Sequence, residues 1–275
     1  MNPKPSEPAI YVLPNLMTAG NLFCGFAAVL SIIEASLAKD SGQPIAPLYH
    51  QAIAFILAAC VFDLLDGRLA RFGGKETAFG KEFDSLADVI SFGLAPSLLA
   101  YQIVLKDFAK TGWLIAFIYL LCGALRLARF NCSKEPEENS NTPSHDFIGF
   151  PIPAAAGLIA SLTLLLLWLD EGAREIGPWK FALPPLLLFL SFMMFSKVRY
   201  PSFKSISWNT KRPIPKFIAT IVTLALCLMH YEWMPALAFL AFLLYGFARP
   251  FISRSLRKEI EEDDEDAQPT TDSAP

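Results

Sequence analysis

Asp63, Asp66, Asp84 and Asp88 are the residues of this sequence whose type and spacing speak most directly of chemistry. They lie in DLLDGRLARFGGKETAFGKEFDSLAD, residues 63–88, between two strongly apolar runs. Asp63 and Asp66 are three apart, so on a helix they share a face. Ala70 continues that face and Gly67 sits beside it. Asp84 and Asp88 are four apart, with Gly80 one turn before Asp84. The turn between the two pairs, residues 72–79, is short and holds Gly73 and Gly74. Two helices joined in this way are antiparallel neighbours whose carboxylates converge. Four such groups repel one another strongly, and each is costly inside a membrane. One or two divalent cations resolve both problems. Hard oxygen donors favour Mg2+ or Mn2+ over zinc, and such sites keep positions open for phosphate. The small residues Gly67 and Ala70 let a bulky ligand lie against the helix backbone, and Arg71 suits a phosphate oxygen.

The elements that must position these groups are membrane helices. Hydrophobic residues make up 53% of the chain and charged residues 18%, a profile outside the range of soluble globular domains. Eight apolar segments approach the ~20 residues that a helix needs to cross hydrocarbon. They are Asn15–Leu37, Gln51–Arg71, Glu82–Leu105, Thr111–Phe130, Phe150–Leu169, Phe181–Ser196, Phe217–His230 and Trp233–Phe251. Lipid offers the backbone no hydrogen-bond partners, so the expected fold is an all-α integral membrane protein, a polytopic helix bundle. The first segment is expected to be kept rather than cleaved, because its polar lead-in is long and holds only Lys4. Connections on the side of the N-terminus collect Arg68, Arg71, Lys75, Lys81, Arg126, Arg129 and Lys134, then further basic residues to Lys258. The other side has only Lys39, Lys106, Lys110, Arg174 and Lys180. That bias places both termini and the aspartates on the cytoplasmic side of a cell membrane. The acidic run 259–272 reads as a solvated, disordered tail with no chemistry of its own. The 5 cysteines contain no C-x-x-C pair and read as free thiols rather than a disulfide or zinc framework.

The pattern D-x-x-D-G-x-x-A-R, eight residues, then G-x-x-x-D-x-x-x-D resembles the signature of the CDP-alcohol phosphatidyltransferases. Here it is Asp63, Asp66, Gly67, Ala70, Arg71, Gly80, Asp84 and Asp88, with no departure. The resemblance implies six core helices, with about two more following at the C-terminus here, and a homodimer. It implies two divalent ions held by Asp63, Asp66, Asp84 and Asp88, and Asp88 as general base. It also implies CDP along the Gly67–Ala70–Arg71 edge, with Gly80 close to the diphosphate. The expected organisation is a cytoplasmic segment at 1–14, a phosphotransferase core at 15–199, additional transmembrane helices at 200–251 and the acidic tail at 252–275.

Further stretches resemble the serine-using branch of that family: PNLMTAGNLFCGFAAV (14–29), SFGLAPSLL (91–99), ALRLARFN (124–131) and FIGFPIPAAAG (147–157). The implied reaction transfers the phosphatidyl group of CDP-diacylglycerol to L-serine and releases CMP. No nucleic-acid partner is expected. Arg126 and Arg129, beside Asn131, have two readings: one receives the serine carboxylate or a lipid phosphate, or they anchor the span at the cytoplasmic surface. Asn21 and Gly25 lie one turn apart on the first span, and either touch the nucleotide or serve tight helix packing. The loop 132–149 either covers the site or is a linker, and His145 reads as a loop residue. The rivals are another acceptor, glycerol phosphate or inositol phosphate, and a cation or proton transporter. The latter is disfavoured because Ala52–Val61 and Leu94–Leu105 are largely apolar.

Overall fold

The computed structural model describes residues 12–40, 44–72, 77–132, 147–171, 181–196, 199–200 and 229–248. Nearly all of the Phe217–His230 segment, most of the loop 132–149, and the acidic tail lie outside the described residues.

The described residues are helical almost throughout. Helix α1 runs Val12–Asp40, α2 Ala46–Phe72 and α3 Ala78–Asp88. A π-helical stretch, Val89–Leu94, leads without a break into α4, Ala95–Ile103. A 3₁₀ turn at Leu105–Phe108 precedes α5, Ala109–Cys132. Helices α6, Ile152–Glu171, α7, Leu183–Phe195, and α8, Met234–Ala248, follow. Five stretches are long and apolar enough to cross a membrane: Leu13–Ala38, Ala46–Gly67, Ala78–Ile103, Leu105–Cys132 and Ile152–Leu169. Helices α7 and α8 are apolar but shorter, with 13 and 15 residues. At 1.5 Å per residue, 13 residues reach only about 20 Å.

A small departure from the all-helical expectation joins two connections. Phe147 and Ile148 (β1) pair antiparallel with Tyr200 and Arg199 (β2). Gly149 follows with a φ of +84°, and a Cβ there would fall on the Met194 carbonyl oxygen. Only glycine takes that left-handed turn without steric cost. The Phe150 N–H then donates to the Met193 carbonyl at 3.0 Å, which ties the entry of α6 to the end of α7.

Helices α1 and α2 pack along much of their length. Ala28 and Ala35 on α1, and Ala52 and Ala59 on α2, are fully buried at a spacing of seven. Small side chains repeated on one face let membrane helices approach closely. At the site end, a Cβ on Gly20 would come within 2.9 Å of the Phe62 ring.

The segment expected as one span at Glu82–Leu105 begins four residues earlier, because Thr77 caps it. Its side chain accepts the Gly80 N–H at 3.0 Å, and such a cap satisfies one donor of the first turn. The π stretch has an equally local cause. In a regular α-helix the Phe92 carbonyl would accept from the N–H of Pro96, which has none. The Tyr119 hydroxyl of α5 donates to that carbonyl instead, at 3.1 Å, and both residues are fully buried. Around the proline the ladder widens, so that the Ala95 N–H bonds to Ile90. The four cysteines among the described residues, Cys24, Cys60, Cys122 and Cys132, are free thiols.

Candidate functional site

The C-terminal turns of α2, the first turns of α3 and the N-terminal half of α1 meet at one end of the bundle. Asp63 and Asp66 come from α2 and Asp84 from α3. One carboxylate oxygen from each of the three lies within 4.8 Å of the others. Asp66 is buried, and Asp63 and Asp84 are partly buried. At that separation two carboxylate charges repel by at least about 3 kcal/mol per pair at an effective dielectric near 20. Three oxygen donors from acidic side chains, converging at the edge of an apolar bundle, fit a hard divalent cation and suit a soft one poorly.

Asp88 stands apart from this trio. It lies one turn deeper on α3, is only 6% exposed, and accepts a hydrogen bond from Asn21 Nδ2 at 3.0 Å. Asn21 is itself fully buried. The Ser91 hydroxyl donates to the Asn21 backbone carbonyl at 3.0 Å. This close crossing depends on Gly25, where a Cβ would lie 2.2 Å from Ser91 Oγ. Of the two readings of Gly25, the structure thus places it in tight packing. Thr18, one turn before Asn21, was not singled out from the sequence. Its hydroxyl is 3.1 Å from Asp66 Oδ2 and 3.2 Å from the Pro14 carbonyl of its own helix. Ser91 was missed as well. The signal that marks the face of α1 is the series Asn15, Thr18, Asn21, three polar residues at intervals of three in an apolar span.

The other expected site residues divide into groups. Gly67 is exposed, and a Cβ built on it meets nothing within 4 Å, so space is open beside the aspartate face of α2. Ala70 and Arg71 belong to the last turn of α2, and their side chains fall outside the described residues. Gly80 packs rather than facing open space, with its Cβ position 3.1 Å from Thr77 Oγ1 and 3.2 Å from Asn15 Oδ1. On α5, Arg126 is 7% exposed and its Nε has no hydrogen-bond partner among the described residues. Arg129 is engaged elsewhere. It donates to the carbonyls of Phe195 at 3.1 Å and Ser196 at 3.4 Å, and lies 5.3 Å from the Phe195 ring centre. It therefore closes the C-terminus of α7, where orphan carbonyls need donors. Asn131 ties α5 to α3, donating to Ser85 Oγ at 2.9 Å and accepting from Lys81 Nζ on its carbonyl at 3.0 Å.

The helical bundle, with five membrane-length stretches, thus carries a trio of acidic side chains gathered from two helices, a donor set that suits a divalent cation. The chain belongs to the CDP-alcohol phosphatidyltransferase family, whose model matches residues 11–195. Among named relatives, it is 36% identical to the CDP-diacylglycerol–serine O-phosphatidyltransferase of Helicobacter pylori, over 87% of this chain and 91% of that protein. It is 34% identical to the enzyme of the same name from Bacillus subtilis, over 70% of this chain and 91% of that protein. It is 35% identical to the archaetidylserine synthase of Methanothermobacter thermautotrophicus, over 69% of each chain.

Proposed function

We propose that this integral membrane enzyme transfers the phosphatidyl group of CDP-diacylglycerol to the hydroxyl of L-serine, giving phosphatidylserine and CMP. The observation that carries the reading is the meeting of Asp63, Asp66 and Asp84 within 4.8 Å, inside a chain of this family. The names of the relatives share serine as acceptor and differ in the lipid that bears it.

In this reading Asp63, Asp66 and Asp84, with Asp88 adjoining, hold one or two Mg2+ or Mn2+ ions. Such ions neutralise the diphosphate and the charge that develops on phosphoryl transfer. Asp88 accepts the proton of the serine hydroxyl, whose oxygen attacks the phosphorus bearing diacylglycerol. The bond from that phosphorus to the bridging oxygen breaks, and CMP leaves with the electron pair. The open flank at Gly67 receives CDP against the backbone, with Ala70 continuing that edge and Arg71 on a phosphate oxygen. Arg126, buried and with a donor to spare, receives the serine carboxylate, since guanidinium and carboxylate match in charge and geometry. Arg129 and Asn131 hold α7 and α3 against α5.

In this reading both termini and the site lie on the cytoplasmic side, which the excess of basic residues in the connections on that side supports. Six core helices with about two after them, working as a homodimer, complete the reading. The test supplies purified protein and Mn2+ with CDP-diacylglycerol and labelled serine, inositol phosphate or glycerol phosphate. The expected result is label entering lipid from serine alone, with equimolar CMP. Label from another acceptor, or no acceptor-dependent CMP release, refutes the proposal.

A further inference from the structure

Helix α1 supplies no carboxylate to the cluster, yet it touches two of the four aspartates through different side chains. The Thr18 hydroxyl reaches Asp66 at 3.1 Å, and the Asn21 amide reaches Asp88 at 3.0 Å. Both residues are buried, at 3% and 0% exposure, and they lie three apart on one face. We infer that Thr18 and Asn21 are positioning residues, which orient the carboxylates of Asp66 and Asp88 separately, the first for cation binding and the second for proton transfer.

Three features of the structure support this. A carboxylate on a short side chain has two torsions to fix, and a hydrogen bond from a buried neighbour fixes them before any ligand arrives. Donors outside a metal's own ligands commonly set ligand orientation in this way. The Asn21 backbone is held in turn, because Ser91 Oγ donates to its carbonyl and Gly25 lets α1 approach Ser91. Asn21 is therefore anchored against the same continuous helical run that carries Asp88. Finally, the two contacts serve different members of the site: Asp66 is in the trio within 4.8 Å, and Asp88 is outside it. Loss of one contact should therefore not mimic loss of the other. This assignment replaces a nucleotide contact for Asn21 and rests on the reading of Asp63, Asp66 and Asp84 as cation ligands.

Thr18→Val, Thr18→Ser and Asn21→Ala, purified in detergent, decide the matter. Mn2+ binding and Mn2+-dependent CDP binding are measured by calorimetry, kcat and KM for CDP-diacylglycerol by CMP release, and folding by thermal unfolding without metal. Thr18→Val is expected to weaken Mn2+ binding about tenfold or more, and Thr18→Ser, which keeps the hydroxyl, to restore it. Asn21→Ala is expected to lower kcat about 10- to 100-fold, with CDP affinity unchanged within about twofold and a smaller loss of Mn2+ affinity than Thr18→Val shows. Several results overturn the inference: Thr18→Val binding Mn2+ as wild type does, Thr18→Ser failing to rescue, or Asn21→Ala losing CDP affinity rather than kcat. A uniform drop in unfolding temperature that accounts for all the losses also overturns it, as it would mark a packing role. If wild type itself shows no Mn2+-dependent CDP binding, the cation reading falls first and the inference with it.

Discussion

Buried polar side chains in two parts of this bundle behave differently. In α6 and α7, Ser161, Thr163 and Ser191 are buried, and each hydroxyl bonds to a carbonyl three or four residues back in its own helix. At the junction of α1, α2 and the helical run from Ala78, the buried polar groups bond across helices: Thr18 to Asp66, Asn21 to Asp88, Ser91 to the Asn21 carbonyl. The first arrangement satisfies a polar atom at no cost to its neighbours and specifies nothing beyond the helix it sits in. The second fixes one helix relative to another and holds charged side chains in place. Burial of a polar residue is therefore a poor guide to function in this protein; the direction of its hydrogen bond is a better one.

The comparison can be broken most sharply at the aspartates. Asp88→Ala should lower kcat by roughly 10²- to 10⁴-fold, the range for losing a general base, while CDP still binds. Asp63→Ala or Asp84→Ala should instead abolish Mn2+-dependent CDP binding in a calorimetric titration. Next in size, Arg126→Leu should raise KM for serine about 10- to 100-fold and leave CDP binding in place, as read by initial rates at varied serine. A smaller effect is expected from Gly25→Ala. Its methyl group collides with Ser91, and overpacking of this kind costs about 1–3 kcal/mol, seen as a lower unfolding temperature together with reduced turnover. At the bottom of the scale, Thr163→Val and Ser191→Ala should change stability by no more than about 1 kcal/mol and turnover by less than about twofold. A large loss of activity from either would erase the distinction between the two regions.

Much of the site was legible because it is periodic. Intervals of three and four put Asp63 with Asp66, and Asp84 with Asp88, each on one face of a helix, and α1 packs against both helices. Thr18 was hidden because a hydroxyl in a membrane helix ordinarily bonds to its own backbone, and Thr18 does sit 3.2 Å from the Pro14 carbonyl. Only the position of α2 reveals its second contact. Arg126 and Arg129 are alike in type and spacing, so no pattern within α5 separates them. The end of α7 does, because its exposed carbonyls claim Arg129. The π stretch at Val89–Leu94 follows from Pro96, a residue visible in the sequence. The donor that completes it, Tyr119, lies on another helix. The limits of α7 had a similar cause: Pro184 and Pro185 fix its start, and Arg129 marks its end.

The flank of α2 beside the acidic residues has a kinetic consequence. Val61, Leu64 and Leu65 are 56%, 55% and 44% exposed next to Asp63 and Asp66, and Gly67 leaves its side of the helix clear. On the proposed function, an apolar wall beside the acidic residues is expected to let the donor drift in along the bilayer plane with its acyl tails never extracted. The velocity of such an enzyme follows the mole fraction of donor in the surface and not its amount per litre, so diluting the donor with inert lipid or detergent slows turnover even when total donor is constant.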